Sequence, residues 1–370
     1  MALLRRRALN RATLDRQLLL RRASMPMLEA VEHLVGLQAQ TPHTWYHGLW
    51  CRLAEFDPRR LADLLIERKV VRMALMRSTI HLVTARDCLL LRPLVQPVIE
   101  RSMNGNFGKN LSGVDAEKLI AAGRELLEER PLIFSELGRS LARQWPDRDP
   151  ASLAQAVRAW VPLVQVPPRG VWGASGRPAH TTVESWLGRG LAPESSVDDM
   201  VLRYLAAFGP AGVRDAQTWS GLTRLGEVFD RLRPGLVTFA DEHGRELFDL
   251  PDAPRPDPDV PAPPRFLYDF DNLLLSHADR SRVITERALR QEYPPNVQPC
   301  MLLVDGFTNG DWKITRHRGT ATLTVRPFNR LSTADIAAVT REGARLLEFA
   351  APGDTPDIRF VTPSAAARDT

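Results

Sequence analysis

Two glutamines, Gln38 and Gln40, stand one residue apart in the stretch LVGLQAQTPHTWYHG, Leu34 to Gly48. An amide does not titrate near neutral pH, so neither can serve as a general acid or base. Its carbonyl accepts and its NH2 donates, which suits the pair to holding a water molecule in place. Positioning alone supplies rate only where the leaving group departs without help. The structural alternative is that they cap a helix's last carbonyls or satisfy buried backbone at a domain contact. Geometry separates the two. Around a helix axis, residues two apart lie about 200° apart, whereas in an extended or turning segment they point the same way. The apolar positions Met27, Leu28, Ala30, Val31, Leu34, Val35 and Leu37 predict a helix over Pro26 to Leu37, and Pro42 ends it by Thr41. The glutamines straddle its exit, where both can face one site.

Other polar groupings offer less. His43 and His47 have the spacing of two zinc ligands, but HTWYH carries Thr where a zinc-protease helix needs Glu, so no metal is expected. Phosphate-cradling glycine loops and the GxSxG elbow are both missing from the sequence. The stretch MRSTIHLV, Met76 to Val83, reads as a strand with Arg77, Thr79 and His81 on one alternating face, suited either to nucleic acid or to solvent. WKITRHRGT, Trp312 to Thr320, gathers Lys313, Arg316, His317 and Arg318 beside a hairpin turn at Gly319, and the N-terminal Arg5, Arg6 and Arg7 admit the same two readings.

The elements that must position these groups recur in one order. Asp57 caps a helix with Pro58 in its first turn, followed by a β-rich segment from Val70 to Val83. Asp149 and Pro150 repeat those roles before a strand around Leu163 to Val166 and a Pro-Pro-Arg-Gly turn into Val171 and Trp172. Ser196 and Asp199 form a capping box ahead of three helical segments, and GLVTFADEHGRELFDL closes them as a hairpin turning at Asp241 to Gly244. Helices followed by a hairpin are the order of a winged helix, read here three times: residues 1–112, 113–193 and 194–255. Residues 256–370 hold the rest of a proline-dense connection that begins at Pro251, a β-rich unit and a final helix. Asn104 to Asn110 reads as a loop, and the last ten or so residues as frayed. The fold class is therefore α+β.

With 370 residues, 44% of them hydrophobic, the chain can bury a sizeable core. A net charge of +5, carried mostly by arginine, suits a polyanionic partner, although an arginine-rich proteome produces the same excess. Cys51, Cys88 and Cys300 form no CxxC pair, which fits a reducing cytoplasm, and no apolar run reaches membrane-spanning length.

One substrate class suits two amides. Guanine alkylated at N7 is already a cation and leaves without being protonated, so an enzyme need only hold a water near the anomeric carbon. Rate should then vary little between about pH 6 and 8. GLQAQ followed by Trp45, MRSTIHLV, YLAAFGPAGVRDAQTWSGL, DFDNLLLSHADRSRVI and VDGFTNGDWKI, in this order, resemble the AlkZ-like family of winged-helix bacterial DNA glycosylases, over roughly Arg16 to Phe349. The resemblance implies three tandem winged helices in a C-shaped basic channel and removal of N7-alkylated purines from double-stranded DNA. It also implies that interstrand crosslinks of the azinomycin type are unhooked, in repair or self-resistance, by a monofunctional glycosylase without cofactor. The family's catalytic glutamine, apolar residue, glutamine element maps onto Gln38, Ala39 and Gln40. Assigning Arg77, Thr79, His81, Lys313, Arg316 and Arg318 to DNA follows from charge and placement instead. A monomer acting at the nucleoid in the cytoplasm is expected. Two rivals remain: a winged-helix transcription regulator that binds one intact sequence without catalysis, and a damage sensor that survives loss of both glutamines.

Overall fold

The computed structural model describes residues 2–295 and 297–361, so the expected fraying of the C-terminus falls outside the described residues. Helices and three sheets mix in an α+β fold.

In the first segment the helix Met27–His33 stops earlier than its apolar stripe, because Val35 and Gly36 turn left-handed at φ 53° and 84°. At Gly36 a Cβ would lie 2.6 Å from Val83 Cγ1 and 2.8 Å from the Leu82 carbonyl, so only glycine fits. The chain then enters a short strand, Leu37–Gln38. Asp57 caps the helix Pro58–Ile66 as expected, accepting from the Arg59 N–H. The strand expected over Met76 to Val83 is broken. Val70–Ala74 and Ile80–Thr84 form a hairpin, and Met76–Ser78 is its tight 3₁₀ turn. Arg77, Thr79 and His81 therefore share no alternating face.

Asp149 likewise caps Pro150–Trp160, which leads to the strands Leu163–Gln165 and Ala179–Thr182. These strands do not form a separate sheet. One six-stranded sheet runs in the order Leu37–Gln38, Ile80–Thr84, Val70–Ala74, Leu163–Gln165, Ala179–Thr182 and Leu132–Ile133. It crosses residue 112, and one apolar core extends from Val35 to Phe248. An isolated hairpin is marginal in water, and pairing two of them edge to edge removes exposed edges.

The third segment has its three helices, Val197–Phe208, Val213–Ser220 and Gly226–Leu232, and a hairpin of Val237–Ala240 with Glu246–Asp249. Ser196 caps the first of these helices by accepting from the Asp199 N–H. The N-terminal helix Arg6–Arg16 pins down the proline-dense connection. Arg7 donates to the Pro258 carbonyl, Arg11 to Val260 and Arg16 to Pro254, while Arg16 also pairs with buried Asp249 at 2.7 Å.

The C-terminal unit is a five-stranded sheet of Arg265–Phe266, Cys300–Val304, Phe307–His317, Thr320–Pro327 and Thr355–Phe360, with the helix Thr333–Ala350 starting at a Ser332 and Asp335 capping box. The last strand was not expected from sequence. Its Pro356 sits at the sheet edge, where a missing N–H costs little. Asn104 to Asn110 is no loop but the end of the helix Gln96–Phe107 and a 3₁₀ turn, Gly108–Leu111; open space around Gly105 lets polar and glycine residues continue the helix. Among the described residues no helix is long and apolar enough to cross a membrane.

Candidate catalytic site

Gln38 pairs opposite His81 in the sheet, and the Ala39 N–H donates to the Ile80 carbonyl at 2.7 Å, so the motif is extended and not helical. Gln40 lies two residues on, just past the end of the strand Leu37–Gln38. Gln38 is 3% exposed and its Oε1 accepts from Arg77 Nη2 at 2.7 Å. Gln40 is exposed and its Oε1 accepts from the Ile80 N–H at 2.9 Å. Both partners can only donate, which settles which end of each amide is oxygen. Both amides are thus anchored on the same hairpin, Gln38 by its turn and Gln40 by the start of its second strand. Each carbonyl keeps a second lone pair, enough to accept from one water molecule.

The backbone of the motif is held from two sides. Asn272 Oδ1 accepts the Gln38 N–H, and Arg72 Nη2 donates to the Ala39 carbonyl at 2.7 Å. Arg72 is 1% exposed and lies over the Trp45 ring. Asn272 begins a 3₁₀ turn capped by Asp271, whose carboxylate takes both terminal nitrogens of Arg52 at 2.8 and 2.7 Å in a fully buried pair. Sequence reasoning missed Arg72 and Asn272. A charge inside the buried strand Val70–Ala74 is the signal for the first; DFDN carried the resemblance without indicating a role for the second.

Charge around the motif is positive. Arg77 is half-buried, burial lowers its pKa, and among the described residues no carboxylate pairs with it; its Nη1 donates to the Trp219 carbonyl. Burial, reinforced by the Arg77 cation, pushes His81 down to about 3, and its Nδ1 lies 3.0 Å from the Thr79 carbonyl. His81 is 1% exposed and neutral near pH 7. Thr79 Oγ1 donates to the Met76 carbonyl within the turn.

The structure gathers Gln38, Gln40, Arg77, Thr79 and His81 at one turn and places the remaining basic candidates elsewhere. Lys313, Arg316 and Arg318 are exposed on the hairpin of Phe307–His317 and Thr320–Pro327, which turns at Arg318 and Gly319 as expected. Arg316 is already paired with Asp354 at 2.6 and 3.1 Å. His43 meets the Val171 carbonyl and His47 packs edge-on against Phe349. Among the described residues no three His, Cys, Asp or Glu side chains gather around a metal-sized space. A cleft lined by Arg6, Arg214, Asp241, Arg245 and Arg282 lies beside the third hairpin, and neither glutamine lines it.

Comparison with known proteins bears on family and fold. Residues 31–349 match the model of a family described as DNA glycosylase AlkZ-like. The chain is also similar to the solved structure of Streptomyces sahachiroi DNA glycosylase AlkZ: the two are 19% identical, with a TM-score of 0.80 over 98% of this chain and 100% of that one. At that identity the likeness speaks for the fold. No curated protein matches the sequence.

Proposed function

Since the chain belongs to the AlkZ-like DNA glycosylase family, we propose that it hydrolyses the N-glycosidic bond of cationic N7-alkylguanine in double-stranded DNA and unhooks interstrand crosslinks of the azinomycin type. The observation that carries this reading is the pair of amides anchored on one hairpin, each with a carbonyl lone pair to spare. As the bond from C1′ to N9 breaks, its electrons neutralise the cationic base. A water held by Gln38 and Gln40 adds to the oxocarbenium-like sugar and loses its proton to solvent. Neither step asks a side chain to titrate. The three helix-and-hairpin segments act as winged helices that clasp the duplex in a C shape as a monomer, with Lys313 and Arg318 along the phosphates.

The test is single-turnover incubation with an end-labelled duplex carrying one N7-methylguanine or one azinomycin-type crosslink, then hot alkali and a denaturing gel. Wild type should give alkali-labile sites, and Gln38→Ala and Gln40→Ala should lose most of them while still binding DNA. Failure of wild type on every cationic lesion would overturn the proposal.

A further inference from the structure

We infer that Arg77 is a positioning residue that fixes the Gln38 amide, rather than a contact to DNA phosphate; this rests on the glycosylase reading above. The turn that carries it is the first observation. The Thr79 N–H donates to the Met76 carbonyl at 3.2 Å, and the two residues between them, Arg77 and Ser78, both sit at positive φ, 57° and 59°. A β-turn with both central residues left-handed favours Asn-Gly, because a Cβ crowds the backbone there. Arg-Ser is a poor choice for that turn, and the identity of Arg77 is explained by what its side chain does.

The guanidinium spans two parts of the molecule. Nη2 donates to Gln38 Oε1 at 2.7 Å, and Nη1 donates to the carbonyl of Trp219, in the last turn of the helix Val213–Ser220. That carbonyl is one of those a helix end leaves without an intrahelical partner, at the negative end of the helix dipole. The helix end thus stabilises a half-buried cation that has no carboxylate partner among the described residues. Gly221 makes the approach possible: it is left-handed at φ 81°, and a Cβ on it would meet Val98 Cγ1 at 2.7 Å and the Arg77 backbone at 3.4 Å. The third segment therefore reaches Gln38 through Arg77. With its oxygen held, the amide can neither flip nor swing, and the lone pair left for water keeps one direction.

The test compares Arg77→Asn, whose new residue suits the left-handed turn, and Arg77→Lys with wild type. The readouts are single-turnover release of N7-methylguanine at saturating enzyme, the salt dependence of DNA binding and the thermal midpoint. Arg77→Asn should fold, keep the wild-type salt slope and release base about 100-fold more slowly, the loss expected from a misplaced catalytic group. Arg77→Lys, which can satisfy one acceptor but not both, should fall between the two. On the Gln38→Ala background Arg77→Asn should cost nothing further, because the group it positions is gone. Fully additive losses would overturn the inference, as would a salt slope reduced by about 1 with the saturated rate unchanged, the mark of a lost phosphate contact. An active wild type, an inactive Gln38→Ala and a fully active Arg77→Asn would sink this inference alone; an inactive wild type would remove the glycosylase reading and this inference with it.

Discussion

Asn272 and Gln38, 234 residues apart in the chain, are joined by a two-way clamp: Asn272 Oδ1 accepts the Gln38 N–H at 3.2 Å while its Nδ2 donates to the Gly36 carbonyl at 2.6 Å. The C-terminal unit thereby fixes the backbone on which the glutamines sit. Asn272→Ala leaves a buried donor and a buried acceptor unpaired, which should cost about 1–3 kcal/mol. Chemical denaturation measures that loss, and single-turnover base release should fall with it. A variant as stable and as fast as wild type would show that the clamp is idle.

Behind Asn272 lies the buried pair of Arg52 and Asp271. Removing one partner strands a charge in the core, so Asp271→Ala should lose about 3–5 kcal/mol. Arg52→Met together with Asp271→Leu leaves no charge behind and should lose less than the single change. Denaturation curves of the three variants decide the point.

The pH dependence separates catalysis from stability. Burial holds His81, beside Gln38, and His180, in the strand Ala179–Thr182, at about 3; His81 is therefore neutral between pH 6 and 8, and base release should be nearly flat across that window. A bell-shaped profile centred there would contradict an amide mechanism. Stability behaves otherwise. The unfolded chain binds a proton on each histidine below about 6.5 and the folded chain does not, so stability is unaffected above that value. As the pH falls from about 6.5 toward 3, each histidine should lower stability by about 1.4 kcal/mol per pH unit. Denaturation at about pH 7.5 and 5.0 tests the sign.

On the C-terminal hairpin the three cations should not be equivalent. Lys313 and Arg318 are exposed with no carboxylate partner among the described residues, whereas Arg316 is engaged with Asp354. Lys313→Ala and Arg318→Ala should each weaken binding to undamaged duplex and reduce the salt slope by about 1, and Arg316→Ala should do less. Equal effects from all three would mean that the Asp354 pair opens on binding.

Local chemistry was legible in the sequence wherever one residue decides an element. Asp57, Asp149 and Ser196 each cap a helix where expected, and Gly244 and Gly319 each turn a hairpin, because these depend on side-chain bonds and φ preferences within a few residues. Gln38 and Gln40 could be singled out as a pair from type and spacing, but spacing left a structural and a catalytic reading open, and only the resemblance implied the catalytic one. What sequence could not supply is who holds them. The left-handed pair Arg77 and Ser78 broke an alternation that looked regular, and it turned an apparently surface-facing arginine inward onto Gln38. The partners of the motif come from strand Val70–Ala74, from the end of helix Val213–Ser220 and from the turn at Asn272. Spacing along the chain constrains none of these meetings. They are set by tertiary packing, which brings those parts together and leaves their buried donors and acceptors to find one another.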